Sequence, residues 1–331
     1  MTAQDSATPP SAIAVRSGSS VSGSGSGTLL ALLGVGMFSL TFPATVWALD
    51  GLGPWSATAC RAVLGTLIAA GFLTARRARL PDRRHLVPLA VVAAGVVVGF
   101  PLLTTLALRS STTSHAAVVV GLLPVTTAAY AAVRAGTRHS RAFWGAALTG
   151  AAVVVAFAVQ QSGGRPGTGD LYLFAALLIC AAGYAEGGML ARELPGWQVI
   201  GWALVLSLPL TLAGAAVALA VEPVHLTGRA TAGLLWLGVS QFVGLWVWYR
   251  AMALTGVARA GQLQLAQPLL TLVWSVTLLG ERLAPAAPLA AVAVLVCIAV
   301  TQRAGSPTRS DRRPRPAGSA NLDLDVSRSS R

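Results

Sequence analysis

The sequence contains no lysine, and all 24 of its basic side chains are arginines. A phosphate-binding P-loop and a Schiff-base active site each require a lysine, so both kinds of site are excluded. Charged residues of both signs make up only 11% of the 331 residues, whereas 54% are hydrophobic. An average soluble protein has about a quarter of its residues charged. Together with the mean hydropathy of +0.68, this composition indicates a polytopic membrane protein.

Residue patterns that mark enzymes and metal sites are also missing. No H-E-x-x-H pair, nucleophile elbow or carboxylate dyad occurs, so we expect no catalytic residue. The three cysteines, Cys60, Cys180 and Cys297, each lie in an apolar stretch and lack metal-ligand spacing. We interpret them as packing residues, and we expect neither a bound metal nor a cofactor.

Ten apolar stretches of about 20 residues follow one another between two polar tails. That length crosses a hydrocarbon core of ~30 Å as an α-helix. The stretches are continuously apolar rather than alternating, which predicts helices and not barrel strands. Their limits are 28–48, 54–74, 86–107, 113–133, 141–160, 170–191, 196–220, 231–252, 258–279 and 284–302. The predicted fold is an all-α polytopic membrane protein with ten transmembrane helices.

The arginines of the connections are unevenly distributed between the two sides of this bundle. With a cytoplasmic N-terminus, the inner connections carry eleven arginines, and the outer ones carry four. Short cytoplasmic loops are enriched in basic residues. We therefore predict a multi-pass protein of the cytoplasmic membrane with both termini inside. The net charge of +13 is attributed to topology, and no nucleic-acid partner is expected.

An internal repeat relates the two halves of the chain. Pro124 precedes Gly136 by twelve residues, and Pro268 precedes Gly280 by the same distance. Each half holds five spans, and an odd number inverts the second half relative to the first. The predicted organisation is a disordered cytoplasmic tail (1–27), a first repeat (28–160), an extracytoplasmic linker (161–169), a second repeat (170–302) and a disordered cytoplasmic tail (303–331).

Two five-helix halves with A-L-x…P…G-E endings resemble the EamA-type members of the drug/metabolite transporter superfamily. The best-matching pieces are GQLQLAQPLL at 261–270, LLGERL at 278–283 and GYAEGGMLAR at 183–192. The resemblance covers residues 28–302 and implies a ten-helix secondary transporter that exports a small solute. The first half departs from the pattern, because Gly136-Thr137 stands where the second half has Gly280-Glu281.

A polar stripe on the ninth span is the leading candidate for a solute site. Gln264, Gln267, Thr271 and Ser275 are spaced so that they share one helix face near the bilayer midplane. Pro268 in the same helix leaves the carbonyl of Gln264 without its usual donor. Interrupted helices near the midplane often mark a transport site. A stripe that only joins helices through hydrogen bonds is the alternative.

Further candidates lie on other spans. Gln241 and Trp248 share a face of the eighth span and can offer an amide and an aromatic wall to an amphipathic or cationic solute. We include Tyr184 of the sixth span among the cavity residues. Pro124 and Pro43 are expected to interrupt the fourth and first spans, as Pro268 does the ninth.

Ionisable groups inside a span each need an explanation, because burying them in lipid is costly. Arg61 can hold an anionic substrate group or a partner carboxylate, or it can extend its charge to the helix end. Glu186, among small residues that permit a close helix approach, can carry a proton or form a helix-end ion pair with Arg192. We assign Glu281 to structure, as a helix terminus beside Arg282.

The leading hypothesis is a secondary transporter of a small metabolite, amino-acid-like or drug-like solute, which works by alternating access and is a candidate for proton coupling. Its expected partners are the small-molecule substrate and the lipid bilayer, and formation of a homodimer is left open. The alternative is a non-transporting membrane sensor or scaffold, in which the polar stripe only holds helices together.

Overall fold

The computed structural model describes residues 22–135, 140–161, 164–255, 263–264 and 266–305. Eight apolar helices of 21 to 26 residues lie in this part of the chain: α1 (Ser26–Leu49), α2 (Pro54–Ala75), α3 (Arg83–Ala107), α4 (Thr113–Arg134), α5 (Arg141–Gln161), α6 (Thr168–Leu190), α7 (Gly196–Val221) and α8 (Gly228–Ala251). Two more apolar helices follow, α9 (Ala266–Leu279) and α10 (Ala286–Gly305).

These ten helices confirm the all-α prediction, since the described residues contain no strand longer than an isolated bridge between Leu52 and Val224. Large apolar side chains face outward: Leu148 is 68% exposed, Leu210 68% and Leu289 73%. Such a surface is unfavourable in water but suits contact with lipid chains. The two predicted tails, Gly136-Thr137 and the start of the predicted ninth span lie wholly or mainly outside the described residues.

Carboxylates cap two helices at one end of the bundle. The Glu222 carboxylate, just after α7, accepts hydrogen bonds from the amides of Trp55 and Ser56 in the first turn of α2. The Glu281 carboxylate, just after α9, accepts bonds from the amides of Thr113 and Ser114 in the first turn of α4. Each carboxylate provides acceptors for backbone amides that have no partner within the helix, and its negative charge lies at the positive end of the helix dipole. We call this end the carboxylate end.

The opposite end of the bundle is the arginine-rich end. It holds the connection between α2 and α3, with Arg76, Arg77 and Arg79, and also Arg134 in the last turn of α4. Glu193 follows α6 there and lies 3.1 Å from His85 and 3.3 Å from Arg84. The hydrogen bond with His85, followed by the charge of Arg84, lowers the pKa of the Glu193 carboxyl below its ordinary value.

One irregularity occurs at matching places in the two halves. Residues Ala93–Gly99 of α3 and Ser240–Gly244 of α8 form π-helical turns. When the sequences of the two repeats are aligned so that Pro124 matches Pro268, these two segments overlap. Single π-helical turns inside α-helices are frequent at functional sites. The repeat therefore extends to helix irregularities, which meet at the centre of the bundle.

Close packing of α3 on α6 brings the two halves together. A Cβ added to Gly183 would lie 2.8 Å from the Val96 side chain and 3.3 Å from the Cα of Gly95. A Cβ on Gly95 would lie 2.5 Å from the Ile179 carbonyl oxygen. Only glycine permits this approach at either position. The close helix contact predicted for the GYAEGG stretch is therefore present.

Candidate functional site

The first helix is interrupted near its middle. A turn at Leu40 separates the helical segments Ser22–Ser39 and Thr41–Leu49. Pro43 has no amide hydrogen and cannot bond the carbonyl of Ser39, four residues earlier. That carbonyl instead accepts a hydrogen bond of 3.1 Å from the Thr271 hydroxyl on α9. The expected break at Pro43 thus becomes a junction between α1 and α9.

A second interruption divides α4. It consists of Thr113–Val120 and Leu123–Ala135, separated by a turn at Gly121 and Leu122. Pro124 is the second residue of the segment that follows this turn, as expected for a residue that lacks an amide donor in the first turn of a helical segment. The predicted break at Pro124 is therefore present, just before the proline itself.

A cavity lies between the broken part of α4 and the start of α9. Gln264, Gln267, Pro268 and Thr271 all line it from α9 and the residues before it. Its opposite wall includes Pro124 of α4. The structure brings three members of the polar stripe and the two repeat-related prolines to one place, whereas the fourth member, Ser275, bonds the Leu272 carbonyl of its own helix. Thr271 is also bonded to Ser39, so this side chain joins helices as well as lining the cavity.

A second cavity adjoins the first, and the two share the lining residues Phe42, Val120, Leu123 and Gln267. The predicted residues Arg61, Tyr184 and Gln241 all line it. Further lining comes from both π-helical turns, through Val96 and Ser240. Side chains from α1 to α4 and from α6, α8 and α9 therefore enclose one central space.

Arg61 and Gln241 form a hydrogen bond across the two halves of the chain. The Arg61 Nε–H donates to the Gln241 Oε1 over 2.7 Å, and the Gln241 amide group donates to the Val96 carbonyl over 3.3 Å. Gly65, one turn from Arg61, leaves room for the Gln241 side chain, whose Cβ would be 3.0 Å from an added Cβ. This pairing of α2 with α8 is not among the sequence predictions.

The charge of Arg61 has no acidic partner among the residues that the structure describes. Arg61 is 7% exposed, and no ion pair joins it to any described residue. All seven acidic residues between 22 and 305 lie in the described part and contact other groups. Asp50 contacts Arg229, Asp82 contacts Arg84, Asp170 contacts His115, Glu186 contacts Arg134, Glu193 contacts Arg84 and His85, Glu222 caps α2 and Glu281 caps α4.

Glu186 lies away from both cavities, near the arginine-rich end. Its Oε1 is 3.1 Å from the Nε of Arg134 at the end of α4, and the Arg134 side chain is 59% exposed. The predicted pairing of Glu186 with Arg192 is therefore wrong. Because α4 packs beside α6, the base comes from the neighbouring helix and not from the following turn.

A second acid–base contact joins the same two helices at the carboxylate end. His115 Nε2 on α4 and Asp170 Oδ1 on α6 are 2.6 Å apart, and the two side chains are 7% and 1% exposed. The His115 ring also stacks on Phe157 of α5. Sequence reasoning missed Asp170, because an acid in the first turn of a helix is an ordinary feature.

Trp248 does not lie in the wall of the central space. A Cβ added to Gly34 of α1 would lie 3.5 to 3.6 Å from the Trp248 ring and Cβ. The Trp248 ring also meets the Phe38 ring edge-on, with 6.1 Å between the ring centroids. The tryptophan therefore packs α8 against α1. The prediction that Trp248 and Gln241 share one solute-facing wall is not supported by this placement.

Comparison with known proteins identifies the family. The sequence model of the EamA-like transporter family matches twice, at residues 25–158 and 167–302. This chain belongs to the EamA-like transporter family. An uncharacterized transporter of Bacillus subtilis (strain 168), YdeK, is 41% identical over 281 residues, which are 84% of this chain and 97% of YdeK. The EamA resemblance and the two-repeat membrane fold are thereby confirmed.

A solved crystal structure shares the fold of this EamA-family chain. It aligns with a TM-score of 0.61 at 20% sequence identity, over 83% of this chain and 98% of the other. At that identity, the likeness concerns the arrangement of helices alone. Assignment of individual residues to a solute site therefore depends on the geometry of the central space described above.

Proposed function

We propose that this EamA-family chain is a secondary transporter that exports a small metabolite across the cytoplasmic membrane by alternating access to the central space. The observation that carries the proposal is the joined pair of cavities between the two halves. They are lined by a buried Arg61, which pairs with no acid of the described residues, and by polar side chains from both halves. Midplane sites at a repeat interface, built on irregular helices, are typical of secondary transporters.

The two-part helix α4 supports alternating access. Its segment Thr113–Val120 is joined to α6 by His115 and Asp170, whereas Leu123–Ala135 is joined to α6 by Arg134 and Glu186. The turn between the segments lies at the cavity, where Gly121 is a lining residue. In our proposal, each segment moves separately. Opening one of these contacts admits solvent from one end while the other contact keeps the opposite end closed.

The orientation follows from the arginines. We assign the arginine-rich end to the cytoplasm because basic residues of short loops are retained there. The carboxylate end, with its two glutamate caps, then faces outward. Export is the direction implied by the family resemblance, and it requires that solute enters the central space past Arg134 and leaves it past His115.

Accessibility of a cysteine in the central space tests this mechanism without a known solute. Leu123 lines both cavities and is 5% exposed. In a variant with Cys60, Cys180 and Cys297 replaced by alanine, Leu123→Cys is labelled by a membrane-impermeant thiol reagent added to one face of proteoliposomes of known orientation.

Weakening each of these two contacts is expected to favour labelling from its own side. Asp170→Asn raises the rate from the carboxylate end, and Arg134→Gln raises it from the arginine-rich end. Arg229→Gln is the matched control, because its contact with Asp50 is exposed and 3.7 Å long. Equal labelling from both faces in all variants would contradict alternating access.

Proton coupling is the remaining part of the proposal, and the two acid–base pairs are its candidates. Flux against a pH gradient is compared for the wild type, Glu186→Gln and Asp170→Asn. The coupling group is the one whose neutral variant still moves solute but no longer responds to the gradient. If both variants respond as the wild type does, neither pair carries the proton.

A further inference from the structure

The charge on the lining of the central space is positive. Among the described residues, Arg61 is the charged group that lines it, and each carboxylate between residues 22 and 305 contacts a group other than Arg61. A buried cation without an opposite charge is costly, because protein of low dielectric replaces water around it. A solute that carries a negative charge would supply the missing partner.

We propose that the central space binds a small organic acid with an apolar body, whose carboxylate pairs with the Arg61 guanidinium. This inference rests on the proposed transport function, which makes the space a solute site. Gln241 occupies only the Nε–H of Arg61. No other hydrogen bond joins Arg61 to a described residue. The two terminal nitrogens therefore remain for a carboxylate, whose two oxygens match the guanidinium geometry.

The rest of the lining indicates the body of the solute. Phe38, Phe42, Phe100 and Leu245 contribute apolar surface around Arg61. Aromatic and aliphatic walls with a few placed polar groups are the usual composition of small-molecule sites. A carboxylate at Arg61 would thus be attached to an aliphatic or aromatic group that these side chains cover.

The same charge argues against an amine. At an effective dielectric constant of 20, a cation ~6 Å from Arg61 is disfavoured about 100-fold relative to a neutral group. No carboxylate of the described residues lines the space to offset that repulsion. The amino-acid-like and cationic solutes expected from sequence are therefore replaced by acids that lack an adjacent ammonium group.

Binding of three matched probes to the purified full-length protein tests the inference without relying on transport. The probes are 3-phenylpropanoate, its neutral amide 3-phenylpropanamide and the cation 3-phenylpropylamine, all titrated into the millimolar range at neutral pH. The expected order of affinity is acid, then amide about 10- to 100-fold weaker, with the amine weakest. This comparison uses the wild type, so it does not depend on a variant that folds.

Two variants locate the binding. Arg61→Gln should remove the preference for the acid over the amide, whereas Arg61→Lys should keep part of it. Arg229→Gln, at an exposed arginine, is the control and should bind as the wild type does. The inference is overturned if the amide or amine binds as tightly as the acid, if the acid preference survives in Arg61→Gln, or if the acid does not bind. The labelling experiment would still test the transport mechanism separately.

Discussion

Replacing Glu281 by glutamine should destabilise the contact between the two halves of the bundle. The carboxylate accepts three hydrogen bonds at the start of α4: 2.8 Å from the Thr113 amide, 3.1 Å from the Ser114 amide and 3.0 Å from the Ser114 hydroxyl. The glutamine NH2 cannot accept, so one or two of the three bonds are lost. The negative charge at the positive end of the α4 dipole is lost as well.

The expected cost follows from these contacts. Each lost bond is worth about 1 kcal/mol, and the interaction with the helix dipole adds ~0.3–1 kcal/mol. The free energy of unfolding should therefore fall by about 2 kcal/mol for Glu281→Gln, and by about 3.5 kcal/mol for Glu281→Ala, which removes both acceptors and the charge. At ~2 °C per kcal/mol for a chain of this size, the melting temperature falls by about 4 °C and 7 °C.

Thermal unfolding of the purified protein in detergent measures these shifts. Thr277→Val is the matched control, since this exposed hydroxyl near the end of α9 bonds only the Val273 carbonyl of its own helix. Its melting temperature should stay within about 1 °C of the wild type. Unchanged melting of both Glu281 variants would refute the assignment of this carboxylate as an interhelix cap.

Three further predictions use the same melting assay. Thr271→Val leaves the carbonyl of Ser39 without its donor and should cost about 1 kcal/mol, more than Thr277→Val costs. Gly183→Ala places a methyl group 2.8 Å from a valine side chain and should cost about 1–3 kcal/mol, whereas Gly188→Ala meets open space and should be neutral or slightly stabilising. The lowered pKa of Glu193 means that its stabilising contribution is present above the ordinary value of 4.5 and is lost as pH falls through the lower folded value. The stability difference between the wild type and Glu193→Gln should therefore shrink in that acid range, and a difference independent of pH would contradict the ion-pair assignment.

Much of the fold could be predicted because the membrane restricts the choices. A continuous apolar stretch of 20 residues must satisfy its own backbone hydrogen bonds in lipid, which leaves a helix as the solution. Two of the prolines were also informative, since a missing amide hydrogen removes one bond of a helix, although Pro209 lies inside the uninterrupted helix α7. Pro43 and Pro124 each accompany an observed interruption, at Leu40 and at Gly121.

The contacts of the site were less accessible to sequence reasoning. Arg61 and Gln241 were each singled out, but their pairing joins two helices 180 positions apart and depends on how the halves pack. The π-helical turns change which carbonyl each amide bonds, and apolar sequences such as AAGVVVG carry no signature of that change. Asp170 was overlooked because its position in the first turn of α6 gave no sign that His115 lies beside it.

The central claim is that the space around Arg61 and Gln267 is a transport site, and flux measures this most directly. Proteoliposomes that contain the wild type, Gln267→Leu or the control Thr277→Val are loaded with a panel of radiolabelled small organic acids and neutral solutes, and efflux is followed. We expect saturable efflux of an organic acid by the wild type and by Thr277→Val, reduced about 10-fold or more in Gln267→Leu. Folded wild-type protein that moves none of the solutes, or Gln267→Leu that transports as the wild type does, would contradict this claim.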